Sequence, residues 1–412
     1  MLRHQRSHLV RAPHVGLQAL RRLDDRVEAH LDGLAVGGAA GLAAVRAQLA
    51  EAAIGMAAGE AFALGVLSLR SHDDARVDEL LALTAERDDV QRGLASAFGW
   101  VSAADLRGVV ARTLASPHPH AQAIALAACR MHRADPGAAL GTALGHAAAK
   151  LRVAALRTAA HLGRHELLNP MLAALNDADP DVAFWAAWSA CRLGERKATR
   201  VALWSASQLH NERGRLALQM LMSASTKDQA SELARQISAA TQAEPTGANT
   251  RRLIRAMGLL GDVRLVPWLI ERMKSPADAR LAGEAFSWIT GADFAAHQLE
   301  TLEAPESAAG PTEDPADDDV GMDEDEGLPW PDVAKVQAWW ARSPLATAAP
   351  SARLVQGGPI DDRPHLQGVL REGTQRLRAH AALLLAVAEP TSIVFPVAAP
   401  AWRQQRWLAP AA

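Results

Sequence analysis

The chain has no tyrosine and few other aromatic residues, which together form 4% of its 412 residues. β-Sheets favour aromatic and β-branched side chains, whereas this sequence is crowded with Ala and Leu, which favour helices. Hydrophobic residues still make up 49% of the chain, enough for a packed interior. The composition therefore predicts an all-α fold. Because 412 residues exceed the usual size of one hydrophobic core, we expect two or three packed units or a repeat array.

Long apolar runs are also missing. No stretch is long enough to cross a bilayer, and the basic start MLRHQRSHLVRAPHVGLQALRR lacks the apolar core of a secretory signal. We interpret this start as a solvated, partly ordered terminus rather than a targeting peptide or a nucleic-acid arm. The sequence predicts a cytoplasmic protein without a membrane partner.

Motifs that carry nucleophilic, nucleotide or metal chemistry are absent: the chain contains no GxSxG, GxxxxGK[ST], GxGxxG or HExxH. His161 and His165 have the i, i+4 spacing of two metal ligands, but Gly163 stands between them at an expected helix end. His118 and His120 alternate with prolines and read as turn residues. We therefore predict no catalytic residues, no metal ligands and no cofactor.

An internal repeat is the clearest positive signal. Residues 128–131, Ala-Cys-Arg-Met, recur as Ala-Cys-Arg-Leu at 190–193, and 159–162 matches them halfway, which gives a period of 31. Each copy has a helix, a Leu-Gly stop, a second short helix and a turn. Asp179 is expected to cap the helix that begins at Pro180. Since the two cysteines, Cys129 and Cys191, lie two repeats apart, we expect buried thiols and no disulfide.

The pattern predicts four regions. They are an N-terminal helical region at 1–112, HEAT-like repeats at 113–298 that degenerate at 207–249, an acidic flexible linker at 299–328, and a C-terminal helical module at 329–412. In the last repeats, Leu260-Gly261 is the predicted stop and Ser275-Pro276 the restart.

Charge is distributed unevenly along the chain. Residues 303–326 hold eleven acids and no Lys or Arg, so the rest of the chain carries a formal charge of +8 although the total is −3. Such a run cannot bury enough surface to fold alone, which favours a solvated linker. Alternatively, a dense negative run mimics nucleic acid and occupies the basic cleft of a nuclease.

Eight of the eleven tryptophans fall into two groups that bear on binding. Those inside the repeats have helical spacing and are expected in the core rather than in a binding hot spot; they are Trp185, Trp188, Trp204, Trp268 and Trp288. Those after the acidic run either anchor a partner that the acids attract or dock the C-terminal module onto the repeats. The candidate partner-binding residues are Asp317, Asp318, Asp319, Asp323, Glu324, Asp325, Glu326, Trp330, Trp339 and Trp340.

Several segments also carry a family resemblance: AHLDGL, the repeats, LPWP followed by AWW, VLREGTQRLRAHAALLLA and AWRQQRWL. Together they resemble a largely uncharacterised proteobacterial family of HEAT-like repeat proteins, some encoded beside type VI secretion genes. The resemblance implies a short HEAT-like α-solenoid with a role in secretion, as an immunity protein for a toxic effector or as an adaptor. It brings no catalytic residues.

The sequence thus favours a non-enzymatic protein-binding solenoid, an immunity protein whose partner is a secreted effector toxin such as a nuclease. Three alternatives stay open. The first is an adaptor or chaperone that delivers an effector, and the second is a HEAT-like lyase acting on a bound chromophore. The third is nucleic-acid binding in a basic groove, which the adjoining acidic segment argues against.

Overall fold

The computed structural model describes residues 1–301, 323–347 and 352–409. Within these ranges the fold is all-α, as predicted. The named strands form one hairpin and have two residues each. The helices are α1 Leu2–Leu9, α2 Leu17–Val36, α3 Gly38–Glu51, α4 Ala58–Arg70, α5 Asp74–Leu83, α6 Asp88–Trp100, α7 Val109–Leu114, α8 Pro119–His132, α9 Ala138–Leu144, α10 Ala149–Leu162, α11 Leu168–Ala173, α12 Pro180–Arg192, α13 Arg200–Ala206, α14 Glu212–Ser223, α15 Lys227–Ala243, α16 Gly247–Leu260, α17 Val266–Arg272, α18 Pro276–Thr290, α19 Val333–Arg342, α20 Arg363–Glu372, α21 Gln375–Ala388 and α22 Ala401–Leu408. Strands β1 Leu354–Val355 and β2 Gly358–Pro359 pair antiparallel.

The chain divides into two compact units. The first unit comprises residues 1–11, 15–203 and 385–412, and the second comprises 12–14 and 204–384. These units are defined by packing contacts, whereas the four regions were predicted from composition and repeats. The units therefore do not test the four regions, which stay predictions. No single helix in the described part of the chain is long and apolar enough to span a membrane. Within that part, α2 and α3 taken together meet the criterion of length and apolar composition, but the chain bends by 115° between them.

Helices α8, α10 and α12 of the first unit carry the predicted repeat. They begin at Pro119, Ala149 and Pro180, close to the expected spacing, and each packs against the next. The Asp179 carboxylate accepts hydrogen bonds from the backbone N–H groups of Asp181 at 2.9 Å and Val182 at 3.2 Å, while Pro180 occupies the first helical position. The predicted cap is therefore confirmed, and it satisfies two N–H groups that the helix leaves unpaired.

The two cysteines are buried and unbridged, as predicted. Burial raises the pKa of each thiol to about 11, with smaller effects from neighbouring groups. Both side chains therefore act as small apolar residues in the interior of the repeat.

A non-helical stretch of the chain lies against the C-terminal ends of the repeat helices α10 and α12 in the first unit. Residues 390–394 supply the contacts: Val394 donates its N–H to the His161 carbonyl at 2.8 Å, and Arg192 donates to the Pro390 carbonyl at 2.6 Å. Gly163, which ends α10 in the left-handed conformation with φ +71°, lets this stretch approach closely. We call residues 390–394 the first strap.

In the second unit, a non-helical segment likewise bonds to carbonyls at the ends of helices. The buried Arg353 guanidinium, just before β1, donates to the carbonyls of Ser225 at 2.8 Å, Leu259 at 2.9 Å and Leu260 at 3.1 Å. Carbonyls at a helix C-terminus are unpaired and carry partial negative charge, so they can hold a buried cation without a carboxylate. Burial lowers the pKa of Arg353 to about 10.

The region at 207–249, where the repeat pattern fades, contains α14 and a second helix, α15, of unusual length. Helix α15 has 17 residues and begins with a capping box between Thr226 and Gln229, whereas the corresponding short helices α9 and α17 have 7 each. The added length shifts every following position, and this explains why the period of 31 is lost there.

Candidate functional site

A cavity of about 400 Å³ opens in the second unit between the first turns of α14 and α16. Its size lies within the range of small-molecule sites. It is lined by Ser207, Leu209, His210, Asn211, Gly214, Arg215, Leu218, Gly247, Ala248, Arg251, Arg252, Arg255 and Glu324.

Four arginines dominate the lining. Arg215 comes from α14, whereas Arg251, Arg252 and Arg255 come from α16, a helix without any acidic residue. The i, i+4 spacing places Arg251 and Arg255 on one helix face. One carboxylate, that of Glu324, is the only acidic group among the described residues that line the cavity, so the lining is strongly positive.

Glu324 lies at the C-terminal end of the acidic run. Its carboxylate is 2.8 Å from Arg255, 3.1 Å from Arg215 and 3.6 Å from Arg251. Burial acts to raise the pKa of Glu324, but the hydrogen bond from Arg255 and the charges of the three arginines outweigh it and lower the pKa. The carboxylate is half exposed, so it sits at the edge of the cavity rather than deep inside.

The two flanking aspartates fix this end of the acidic run to the same helices. Arg251 donates two hydrogen bonds to the Asp325 carboxylate, at 2.6 and 2.9 Å, and the Asp325 side chain is 6% exposed. Arg280 on α18 pairs with Asp323 at 2.7 Å. Bidentate Arg–carboxylate pairs are among the stronger protein contacts, so residues 323–325 hold Glu324 in place.

Arg252 differs from its neighbours because no carboxylate of the described residues meets it. Its Nη1 donates to the Gln208 side-chain carbonyl at 2.6 Å, and its guanidinium lies 5.4 Å from the centre of the Trp204 ring. The side chain is 7% exposed, and its Nε and Nη2 have no hydrogen-bond partner in the described part of the chain. Burial lowers the pKa of Arg252. A buried donor pair left unsatisfied is costly and demands an explanation.

Two helix N-termini converge on the same cavity. Asn211 caps α14 through its side-chain oxygen, and Thr246 caps α16 in the same way. Both helices exceed ten residues, so each contributes a partial positive charge at this end. Gly214 is required for the close turn before α14, because a Cβ there would come within 1.8 Å of the Leu209 carbonyl oxygen.

The tryptophans predicted as partner contacts are half-buried inside the second unit. The Arg280 guanidinium lies 4.6 Å from the centre of the Trp330 ring. Trp339 and Trp340 on α19 meet the edge of Phe286 at centroid distances of 5.7 and 6.4 Å. Such rings stabilise the packing of α19 on the repeat helices. A role for them in holding a partner stays a prediction.

The acidic candidates fall into three groups. Asp323, Glu324 and Asp325 face arginines of their own unit, whereas Glu326 is exposed to solvent. Asp317, Asp318 and Asp319 lie outside the described residues. The sequence reasoning missed the arginine-lined cavity, although RRLIR at 251–255, with three arginines and no acid in one helix, was a usable signal.

The histidine pair is split by the helix end that the sequence predicted. His161 stacks on Trp188 at 5.7 Å and its Nδ1 lies 2.7 Å from the Arg157 carbonyl oxygen, whereas His165 is exposed on a 3₁₀ turn. Burial, followed by the charges of Arg130 and Arg157, lowers the pKa of His161 far below its usual value. Within the described ranges, no group of three or more His, Cys, Asp or Glu side chains is placed to hold a metal ion.

A second surface feature lies in the first unit, at residues 53–56, which we call the Ile54 loop. Ile54 and Met56 are 89% and 75% exposed. The loop is nevertheless tightly held: the buried Asp89 carboxylate accepts N–H bonds from Gly55 and Ala57, both at 2.9 Å. Arg87 pairs with Asp89 at 2.9 Å and donates to the backbone carbonyls at positions 52 and 53, where the chain enters the loop. The loop therefore presents two apolar side chains on a fixed backbone.

Comparisons of the chain with protein-family models, with curated proteins and with solved structures found no match. The family resemblance noted in the sequence stays an expectation.

Proposed function

We propose that this chain is a non-catalytic helical-repeat protein that binds another protein, and that the partner is a toxic effector of a type VI secretion system, which it neutralises in the cytoplasm. The observation that carries the proposal is the Ile54 loop, where the buried Asp89 and its partner Arg87 hold two large apolar side chains in solvent. The acidic run and the family resemblance support the identity of the partner.

The Ile54 loop exposes apolar surface that the isolated chain does not use. Exposed Ile and Met side chains gain nothing from the hydrophobic effect in the isolated chain. Single exposed apolar residues are common, but here Asp89 and Arg87 together bond to backbone groups at positions 52, 53, 55 and 57, which lie within the loop or next to it. A rigid loop loses little conformational entropy on binding, and rigid apolar anchors of this kind dominate protein interfaces.

The test is co-expression of the chain with the products of the genes beside its own, followed by co-purification. The variant Ile54→Asp/Met56→Asp removes the apolar anchors from an exposed loop, so its fold should be unchanged. We expect it to lose the neighbouring effector. Val201→Asp is the matched control, because Val201 is also an exposed apolar residue, 75% exposed on α13, and this variant should bind normally.

Two results would count against the proposal. One is that no neighbouring product associates with the chain, and the other is that both variants bind as well as the unaltered protein.

An adaptor that delivers the effector would also bind it, so binding alone does not separate neutralisation from delivery. Deletion of the gene separates them, because sister cells are intoxicated when an immunity protein is lost, whereas effector secretion stops when an adaptor is lost.

A further inference from the structure

We propose that His4 and His8 of α1 together bind one divalent transition-metal ion, Ni²⁺ or Cu²⁺, through their Nε2 atoms. The two residues lie on the first helix, and neither the Ile54 loop nor the arginine-lined cavity includes them. The proposal is therefore independent of the proposed protein partner, and the variants that test one site leave the other site unaltered.

The two histidines lie one helical turn apart on the exposed face of α1. Side chains four positions apart are neighbours on a helix surface, and this is the spacing at which two histidines of one helix share a metal ion. Both residues are exposed, so an ion from solution reaches them directly. Unlike His161 and His165, they belong to one helix that no glycine interrupts.

The distance between the two Nε2 atoms matches the bite of a metal ion. They are 3.0 Å apart, and the ring centroids are 4.5 Å apart. Bonds of about 2.0–2.1 Å from one ion to two nitrogens at this separation enclose an angle of about 91–97°. Square-planar and octahedral ions hold neighbouring ligands at about 90°, whereas a tetrahedral ion such as Zn²⁺ would separate the nitrogens by about 3.3–3.4 Å. The geometry therefore favours Ni²⁺ and Cu²⁺.

The metal-free pair is already arranged for this contact. At 3.0 Å the two Nε2 atoms form a hydrogen bond in which one ring donates and the other accepts. When an ion binds both Nε2 atoms, the donating ring carries its proton on Nδ1 instead. The backbone of α1 does not have to move, so the helix is organised for chelation before the ion arrives.

The arginines of α1 lie on other faces of the helix. Arg6 pairs with the buried Asp24 carboxylate at 2.7 Å, and Arg3 donates to the Arg92 carbonyl at 3.1 Å and to Ser96 Oγ at 3.0 Å. These contacts direct both cations toward the body of the first unit. Within the described ranges no third His, Cys, Asp or Glu side chain joins the histidine pair, so water completes the coordination of the ion.

Metal binding should hold residues 2–9 in the helical form. No residue of α1 is fully buried, and a helix of 8 residues is marginal on its own. An ion that links two consecutive turns opposes the fraying of this helix. Backbone amides in the second half of α1 should therefore exchange with solvent more slowly when Ni²⁺ is bound.

Calorimetric titration of the full chain with NiCl₂ and with ZnCl₂ tests the proposal. We expect saturable binding of one Ni²⁺ per chain at this site, tighter than the binding of Zn²⁺. His4→Ala and His8→Ala should each weaken Ni²⁺ binding by roughly tenfold or more, because the second histidine acts at a high effective concentration. A Ni²⁺ Kd weaker than about 1 mM, or tighter binding of Zn²⁺ than of Ni²⁺, overturns the proposal.

Two control variants separate the pair from histidines in general. His30→Ala removes an exposed histidine of α2 that has no other histidine three or four positions away, and it should bind Ni²⁺ normally. Gln5→His/His8→Ala keeps two histidines on α1 but at adjacent positions, which face different sides of the helix. It should bind Ni²⁺ as weakly as His8→Ala.

The pattern across these variants decides the outcome. All the altered positions are exposed, so the folds should be unchanged, and melting temperatures without metal check this. Unchanged Ni²⁺ affinity in His8→Ala would mean that the ion binds without the pair, and it overturns the proposal. Equal losses in His30→Ala and His8→Ala overturn it as well, because any exposed histidine would then serve.

Discussion

At the scale of single residues, one feature recurs: buried arginines that bond to backbone carbonyls and meet no carboxylate in the described part of the chain. Arg192, Arg353 and Arg403 are each more than nine-tenths buried, and each donates to backbone carbonyls; for Arg403 these carbonyls are at residues 99 to 101, at the end of α6. The sequence did not reveal them, because arginine is normally a surface residue and its burial depends on distant chain segments. Asp179 and Pro180 were predictable because a cap depends on neighbours alone.

Substitution of Arg353 tests whether such buried arginines stabilise the fold. Arg353→Met keeps the apolar stem but leaves three helix-end carbonyls without their shared donor. We expect the second unit to lose about 2–4 kcal/mol of unfolding free energy, measured by urea denaturation. Arg371→Met, at an exposed position in the last turn of α20, is the control and should change little. Equal stability of the two variants would show that the Arg353 contacts do not stabilise the fold.

Asp89 gives a prediction about pH. The hydrogen bond from Arg87, with those from backbone N–H groups, outweighs burial and lowers the pKa of Asp89 well below its usual range. An Asp in the unfolded chain titrates at about pH 3.9. The stabilisation by the Asp89 carboxylate is therefore complete above that pH, and it is lost as the pH falls toward the lowered pKa of the folded protein. Asp89→Asn should cost about 2–3 kcal/mol at neutral pH.

Urea denaturation of both proteins from pH 7 down to pH 2 checks this prediction. Below about pH 4 the unaltered protein should lose stability more steeply than Asp89→Asn, because only the former has this carboxylate to protonate. Parallel pH profiles for the two proteins would mean that the Asp89 ion pair contributes nothing to stability.

At the scale of elements, the helices and their ends were predictable, but the extended connections were not. Gly163 and Gly261 end their helices in the left-handed conformation at the predicted Leu-Gly stops. The first strap and the β1–β2 hairpin have no periodicity of their own, since they are short and bonded to distant helix ends. The long helix α15 was missed because a repeat search assumes copies of equal length.

Gly163 lies at the contact between a predicted helix end, that of α10, and the first strap. A Cβ at this position would lie 2.3 Å from the Thr391 carbonyl oxygen, and the φ of +71° is strained for any other residue. Gly163→Ala should therefore cost at least about 1–3 kcal/mol and loosen the first strap. Gly33→Ala, in the last turn of α2 with open space around it, should instead stabilise the chain by about 0.5–1 kcal/mol.

Hydrogen exchange reports on the strap directly. Amides at 390–394 should exchange faster in Gly163→Ala than in the unaltered protein, with no change in Gly33→Ala. Unchanged exchange at these positions would show that the strap does not depend on close approach to the end of α10.

At the scale of the whole molecule, composition and period were enough to predict an all-α repeat protein, because Ala- and Leu-rich helices leave few alternatives. The candidate sites were harder to predict. The arginine-lined cavity combines residues 207 to 255 with Glu324, and the Ile54 loop depends on Asp89, which lies 35 positions farther along the chain. Side chains that meet only after folding leave no spacing that a sequence motif can capture.

The central claim, that this chain neutralises a toxic effector by binding it, is tested most directly by a protection assay. Cells lacking the gene are mixed with sister cells that carry an active secretion system, and their survival is counted after complementation with the unaltered protein, with Ile54→Asp/Met56→Asp or with Val201→Asp. The account predicts survival with the unaltered protein and with Val201→Asp, and killing with the loop variant. Full survival of the uncomplemented deletion strain, or equal protection by all three proteins, would contradict it.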